Sequence, residues 1–449
     1  ALEGNLTRPR DLLRLGSRPK GPLGGLPRLP TATLELLERV SVARDGLPLD
    51  TEAPEGLSSV LTLGLVSVSS AGLLIPRADV RDTILLGMTR ARRTSLAVAL
   101  LGSVRDPFTR AHLALEADLP DRAEEELATG LRTISVPGGP AVSPQRLFGL
   151  ARRLPASSPS TRAAVVESLR RAGEPALGLE LLGDSSDTEE ELLRAEILRQ
   201  RGDLNGARRA IGRVVARDLI AVRDEAFLRT AGRLALDLER RAGTGLADDD
   251  PGSPPWRATP DHLVEEFRSQ HPGSFHESPA FHELRASLAW QAGESERCDS
   301  DAETAGALYL RQALPGQAAR CAALRAMVAQ RRGDSASAYA HGRRAFELAE
   351  SAGERLAAAV YGLNLGLACF ELGRLGEALA RVRGGAEQIA ELGNDALLAH
   401  ATLNLAHVHQ AFGDDNGAAE LLPLAERSAR RTGQASISTH ADIDRKSVV

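Results

Sequence analysis

Residues 363–382, LNLGLACFELGRLGEALARV, and residues 403–422, LNLAHVHQAFGDDNGAAELL, share one skeleton offset by 40 positions. Each reads as an apolar helical run, a stop at glycine and a second run that begins with small residues. The glycines Gly293, Gly333, Gly373 and Gly413 keep that offset of 40, and so do Gly353, Gly393 and Gly433 at the ends of the second runs. Glycine suits both places because a helix stop often needs positive φ. Three units are well formed: 326–353, 366–393 and 406–433. Ala326, Gly366 and Ala406 precede the turn by seven residues. Ala338, Ala378 and Ala418 follow it by five, and Ala345, Gly385 and Ala425 by twelve. Small residues at fixed register let two helices of a hairpin approach closely, with Leu365 and Leu405 in the adjoining core position. A fixed period of this length signals a stacked repeat.

The skeleton resembles the tetratricopeptide repeat, in a form longer than the standard unit and without its usual proline after the second helix. The resemblance covers roughly 316–435. It implies that Gly333, Ala338, Gly373, Ala378, Gly413 and Ala418 define the repeats. Upstream the pattern loosens. The unit at Gly293 keeps Ala286 and Ala305 but places Arg297 where alanine is expected. The stretch 194–215 fits again, with Ala195, Gly202 and Ala207. Residues 110–131 fit loosely, with Ala111 and Ala123 around Asp118. Between the arrays, RAGTGLADDDPGSPPWRATP is rich in Gly, Pro and Asp and non-periodic, which reads as a loop or hinge.

Residues 30–105 differ in kind. TATLELLERVSVA and APEGLSSVLTLG read as helices, and LVSVSSAGLLIP around Ser70-Ala71-Gly72 reads as a hairpin. ADVRDTILLGMTRARRTSLAVALLGSV returns to helical periodicity. Helix, helix, hairpin, helix is the order expected of a winged-helix module. GLVSVSSAGLLIPRADVRD and the helices after it resemble the segment following the nucleotide-binding core of bacterial STAND-type signalling ATPases. In those proteins, LuxR-type (MalT-like) transcriptional regulators among them, a winged helix leads into tetratricopeptide repeats. EGNLTRPRDLL resembles the stretch that closes their ATPase domain, with Leu6 replacing a proline. Arg77-Ala78 stands where the family often has a histidine.

Composition agrees with a soluble helical chain. Of 449 residues 43% are hydrophobic and only 3% aromatic, so the core must be filled by Ala and Leu. Net charge is −5, which offers no global basic field for nucleic acid. The cysteines Cys298, Cys321 and Cys369 are odd in number and scattered, as in a reducing cytoplasm. No run of about 18 apolar residues marks a membrane span.

Common catalytic and metal-binding patterns are not met in this sequence. A Walker A loop needs lysine after glycine, and the two lysines, Lys20 and Lys446, form none. The cluster His271, His276, His282, Glu277 and Glu283 lacks zincin spacing and reads as a polar interhelical loop. His407 and His409 diverge on a helix. CDSDAETAG begins like a calcium loop but has Thr304 and Leu310 where Gly and Glu are required. Arg90, Arg92 and Arg93 offer phosphate contacts, but internal packing is the simpler role.

The expected fold class is mainly α, a winged-helix-like module followed by an α–α superhelix of tetratricopeptide-like repeats. The expected divisions are a domain tail (1–25), the winged-helix-like module (26–105), irregular repeats (106–241), a hinge (242–260) and regular repeats (261–439). A broken repeat with an adapter-derived tail, DRKSVV, closes the chain at 440–449. The expected function is non-catalytic: a cytoplasmic sensing module, cut at both ends, that binds a protein or small effector on its concave surface. Asn364, His400, Asn404, His407 and Gln410 are the candidate contacts there. The resemblance implies a parent that is a signal-transduction ATPase, commonly a transcriptional regulator. The module would contact its own nucleotide-binding domain. ATP and Mg would belong to that missing domain, and nucleic acid would be reached only through a missing domain. No membrane partner is expected. A Ser/Thr kinase carrying the same unit and a free-standing repeat scaffold are the alternatives.

Overall fold

The computed structural model describes residues 29–44, 47–48, 54–69, 73–134, 142–154, 158–184, 187–217, 224–242 and 258–431. The domain tail (1–25), the turn Ser70-Ala71-Gly72, most of the 242–260 hinge and the 440–449 tail lie outside these residues. The chain divides into two compact units, with the division between Ala164 and Val165.

The first unit opens with α1 (Thr31–Ala43), β1 (Leu47–Pro48), α2 (Leu57–Thr62), β2 (Val66–Val68), β3 (Leu73–Pro76), α3 (Ala78–Gly87) and α4 (Arg90–Leu101). Then come α5 (Pro107–Glu116), α6 (Pro120–Ile134), α7 (Pro144–Arg153) and the start of α8 (Pro159–Arg171). β2 and β3 form the expected antiparallel hairpin, with Ser67 opposite Ile75. A third strand was not anticipated: Leu47–Pro48 pairs with β3 on its other edge, giving the order β1-β3-β2. Two residues are too few to show a period-two pattern. The long helical stretch after the hairpin is two helices, because Thr89 caps α4 by accepting from Arg92 N. Leu37, Val60, Leu74 and Ile84 form its fully buried core. Arg90, Arg92 and Arg93 each have a partner within the unit, that of Arg90 at the exposed surface. Arg90 pairs with Asp118, Arg92 with Glu38, and Arg93 donates to the Leu85 carbonyl. Asp118 takes the positive-φ place in the α5–α6 turn that glycine takes elsewhere.

The second unit contains α9 (Pro175–Leu182), α10 (Thr188–Gln200), α11 (Leu204–Arg217), α12 (Glu225–Ala242), α13 (Pro260–Gln270), α14 (Pro279–Ala292) and α15 (Ser295–Arg311). From there the array is regular: α16 (Pro315–Arg331), α17 (Ser335–Ser351), α18 (Arg355–Glu371), α19 (Leu375–Glu391), α20 (Asp395–Ala411) and α21 (Asp415–Arg431). Each of these six helices has 17 residues. One turn device serves within and between repeats. Gly333, for example, has φ +75°; its N–H donates to Gln330 O and that of Asp334 to Ala329 O, so the last carbonyls of α16 are satisfied. Gly353, Gly373, Gly393 and Gly413 share the positive φ.

Ala338, Ala378 and Ala418 are buried at the repeat register. Gly385 is needed for close approach, since a Cβ there would lie 2.8 Å from the carbonyl oxygen of Ala359. One register assignment is corrected. The residue equivalent to Ala338 in the Gly293 unit is Cys298, fully buried, whereas Arg297 is exposed and pairs with Glu294. The small-residue column therefore continues one repeat further upstream than the sequence reading allowed. The calcium-like CDSDAETAG is simply part of helix α15.

Candidate binding cavity

Alternate helices of the second unit, α10, α12, α14, α16 and α18, bring polar side chains to one inner surface. On α10, Glu196 and Arg199 lie three residues apart and pair at 3.0 Å, as helical neighbours do. Arg199 Nη1 also donates to Asp237 Oδ2 of α12 at 2.6 Å. One turn before Asp237, Arg233 grips Glu283 of α14 through Nε (3.1 Å) and Nη2 (2.9 and 3.0 Å). Tyr309 of α15 donates its hydroxyl to Glu283 Oε2 at 2.6 Å. Arg320 of α16 approaches the same carboxylate, its Nε 3.3 Å from Oε1. Glu283 is thus shared by two arginines and a tyrosine.

Burial tends to raise the pKa of Glu283. The charges of Arg233 and Arg320, with hydrogen bonds from Arg233 and Tyr309, outweigh it and hold the carboxyl down at about 2. Arg233 is shifted downward by burial and then by repulsion from Arg320. Two guanidiniums therefore compete for one acceptor, and Arg233 has taken its hydrogen-bonding positions.

A second junction closes this surface. Arg170, near the end of α8, donates to Glu167 (2.7 and 2.8 Å) and to Glu354 (2.7 and 3.2 Å), at the head of α18 and 184 positions away. Arg355 Nη1 donates to the Ala172 carbonyl at 3.3 Å, and a Cβ on Gly173 would collide with Leu392. The corner between α8 and α9 is therefore seated on two corners of the regular array. Between the junction and the α10–α12–α14 network lies a cavity of about 660 Å³. Its polar wall includes Arg170, Arg199, Gln200 and Arg320, and its apolar strip includes Val360 and Leu397. Arg320 and Tyr361 also border an adjoining hollow of about 260 Å³ against Arg233 and Glu283. The larger cavity lies in the range that accommodates a small ligand.

The candidate contact residues fall in two places. Asn364 is exposed and lines a hollow of about 200 Å³ with Tyr361, next to the cavity. His400, Asn404 and His407 share a face of α20 at spacings of four and three; His400 and His407 are exposed, Asn404 and Gln410 half-buried. Earlier in that helix Leu397, with the cap residue Asn394, borders the cavity. The repeat-defining Gly333, Gly373 and Gly413 sit in the turns. Sequence reasoning missed the arginine–glutamate network. Its signal was present as Glu196-x-x-Arg199 and Arg233-x-x-x-Asp237, but each resembles an ordinary exposed helix pair.

The histidine cluster is also corrected in part. His271 ends α13 and stacks on Phe267, and His276 lies in a short 3-10 turn. His282 and Glu283, however, are in the first turns of α14, His282 buried and Glu283 partly buried, not in a solvated loop. His282 contacts Asp301 Oδ1 at 3.2 Å and the His276 carbonyl at 3.0 Å. Among the described residues no group of three or more His, Cys, Asp or Glu gathers as a metal site. No described helix is long and apolar enough to cross a membrane.

No protein-family model matches the chain, and no curated protein does. Several solved structures are similar in fold. A signal transduction ATPase with numerous domains and a tetratricopeptide repeat sensor, from Pyrococcus horikoshii, is 10% identical with a TM-score of 0.43. The match covers 94% of this chain and 60% of that one, so the chain spans about three fifths of its length. A Rap protein complexed with Competence and Sporulation Factor is 16% identical, with a TM-score of 0.45 over 63% of this chain and 79% of that one. Yeast Tom70 is 13% identical, with a TM-score of 0.38 over 92% and 82%. These likenesses concern the helical-repeat fold alone.

Proposed function

We propose that this chain is a non-catalytic sensing module that binds a peptide or small effector in the arginine-lined cavity of its second unit. The observation that carries this reading is the cavity itself, with Arg320 and Tyr361 at the meeting point of two hollows. Stacked helical hairpins present extended inner surfaces whose specificity lies in exposed side chains. In this reading the first unit is a winged-helix-like connector, and the whole belongs to a bacterial cytoplasmic signal-transduction ATPase that regulates transcription. ATP and Mg then serve a nucleotide-binding domain outside this chain, and the chain itself turns over no substrate.

The test is selection from a displayed library of random hexapeptides on the purified chain. Binders should lose at least tenfold in affinity on Tyr361→Ala and severalfold on Asn364→Ala, with circular dichroism unchanged. Binders indifferent to both substitutions would refute the cavity as the site. Hydrolysis of MgATP by the purified chain above the buffer rate would refute the non-catalytic reading.

A further inference from the structure

Consecutive repeats serve as templates for one another, and one of them lacks a side chain that the next one has. Gly306 of α15 and Phe346 of α17 occupy the same place in their units, 40 positions apart. The Phe346 ring sits among α17, α18 and α19. A Cβ on Gly362 would lie 3.3 Å from it, and Leu365 belongs to a buried cluster on which it packs. The Arg381 guanidinium covers it, 4.8 Å from the ring centroid. One repeat earlier the counterparts of Gly362, Leu365 and Arg381 are Ala322, Arg325 and His341. All three line a hollow of about 230 Å³ beside Gly306.

The backbone does not require glycine at this place. Gly306 lies inside α15, where glycine is unfavourable, and a Cβ on it would meet only the Cys321 Cβ, at an ordinary 3.4 Å. An apolar hollow of about 150 Å³ is enough to hold a benzene ring. This one is larger, and Ala302, Ala318 and Leu348, all buried, belong to its lining. The surface around it changes in the same sense. Ala307 and Leu310, both exposed, stand where the next repeat has the exposed Glu347 and Glu350. Leu310, one turn beyond Gly306, is 43% exposed. The hollow therefore opens onto apolar surface, whereas the next repeat fills the same place with its own ring and surrounds it with carboxylates. An aromatic side chain seated in a pocket with apolar surroundings that exclude water is a common anchor of protein association.

We infer that the hollow at Gly306 is a docking site for a protein partner, which inserts an aromatic side chain there and rests an aliphatic neighbour on Leu310. The partner's ring takes the place that Phe346 takes in the next repeat, with His341 in the covering position of Arg381. The site goes beyond the effector reading and does not depend on it. Ala302 and Cys321 are shared with the hollow beside Glu283, but Tyr361 is not part of its lining.

In the experiment, a displayed library of random dodecapeptides is depleted on the immobilised Gly306→Phe chain and then selected on the wild-type chain. Recovered peptides are synthesised and measured by calorimetry. They should share an aromatic residue whose replacement by alanine weakens binding at least about tenfold. Gly306→Phe should bind none of them, and its urea midpoint should equal or exceed that of the wild type, because the new ring fills the hollow. Gly306→Ala, which adds only a Cβ, should keep affinity within about threefold, since most of the hollow stays open. Tyr361→Ala should leave these peptides unaffected, so the inner cavity and this site succeed or fail separately. Recovery of no peptide after depletion overturns the docking site. Equal binding when the aromatic residue is exchanged for leucine overturns the aromatic anchor. Loss of binding on Tyr361→Ala as large as on Gly306→Phe moves the peptides to the inner cavity and overturns the site. A lowered midpoint of Gly306→Phe, or its failure to fold, shows that the hollow does not match a phenyl ring and overturns the comparison with Phe346.

Discussion

Replacing Arg170 by alanine removes the clasp between α8 and α18, and its cost follows from the partners left behind. The Arg170 and Glu354 side chains are only 9% and 14% exposed. Truncating one member of a pair so buried typically costs about 3–5 kcal/mol. After Arg170→Ala, Glu167 keeps Arg171 at 2.8 Å, whereas Glu354 keeps it only at 3.8 Å. The upper part of that range, about 4 kcal/mol, is therefore expected. After Glu354→Ala, Arg170 still holds Glu167 through two hydrogen bonds. The loss is then nearer that of charged hydrogen bonds alone, about 2 kcal/mol. The double variant should cost less than the sum, with a coupling of about 2 kcal/mol. A repeat array need not unfold in one step, so native-state hydrogen exchange is the suitable assay. Amides at the α8–α9 corner and the head of α18 should exchange about thirtyfold faster in Glu354→Ala, and several hundredfold faster in Arg170→Ala, because each 1.4 kcal/mol is a factor of ten. Strictly additive effects, or unchanged exchange at both corners, would refute the clasp.

Three further outcomes are expected. Gly385→Ala should destabilise the α18–α19 hairpin by about 1–2 kcal/mol, overpacking against Ala359 exceeding the gain in helix propensity. Gly384→Ala next to it meets no atom within 4 Å and should stabilise by up to about 1 kcal/mol; denaturation midpoints of the two variants moving in the same direction would contradict this packing. Glu283 and Glu167, both held at about 2, contribute stability that is fully present above the ordinary carboxylate pKa of about 4.3. That contribution is lost as pH falls through 2, since the unfolded chain binds more protons in that window. Urea midpoints followed by circular dichroism should therefore be flat from pH 7 to 5 and drop below, with a shallower drop in Glu283→Gln. Burial raises the Cys298 and Cys369 thiols to about 11 and the Cys321 thiol higher still. All three should react with a disulfide reagent at pH 8 at least about a hundredfold more slowly than free cysteine, and at the ordinary rate in denaturant. Rapid labelling of the native chain would show that these side chains are not enclosed.

The regular array was legible because its constraints are local. A positive-φ residue must end each helix, and a small residue must stand at each close crossing, so Gly333, Ala338 and Gly385 recur at fixed register. The α14–α15 unit was harder to read because Cys298 serves as the small residue there and looks unlike alanine in a pattern. Strand β1 was invisible because it exists only as the partner of β3. Of the candidate contacts, Asn364 borders the hollows, while His400 and His407 lie farther along α20.

By itself the amino-acid sequence determined the helices, their turns and the 40-residue repeat, since these rest on φ preference and side-chain size within some twenty residues. Which polar residues converge was decided by tertiary structure alone. Glu196, Arg233, Glu283 and Arg320 come from four helices, and Arg170 meets Glu354 across 184 positions. On a single helix each of these looks like a solvated charge. Only stacking removes water from between them, and the same stacking leaves Nε and Nη2 of Arg320 without a hydrogen-bond partner among the described residues.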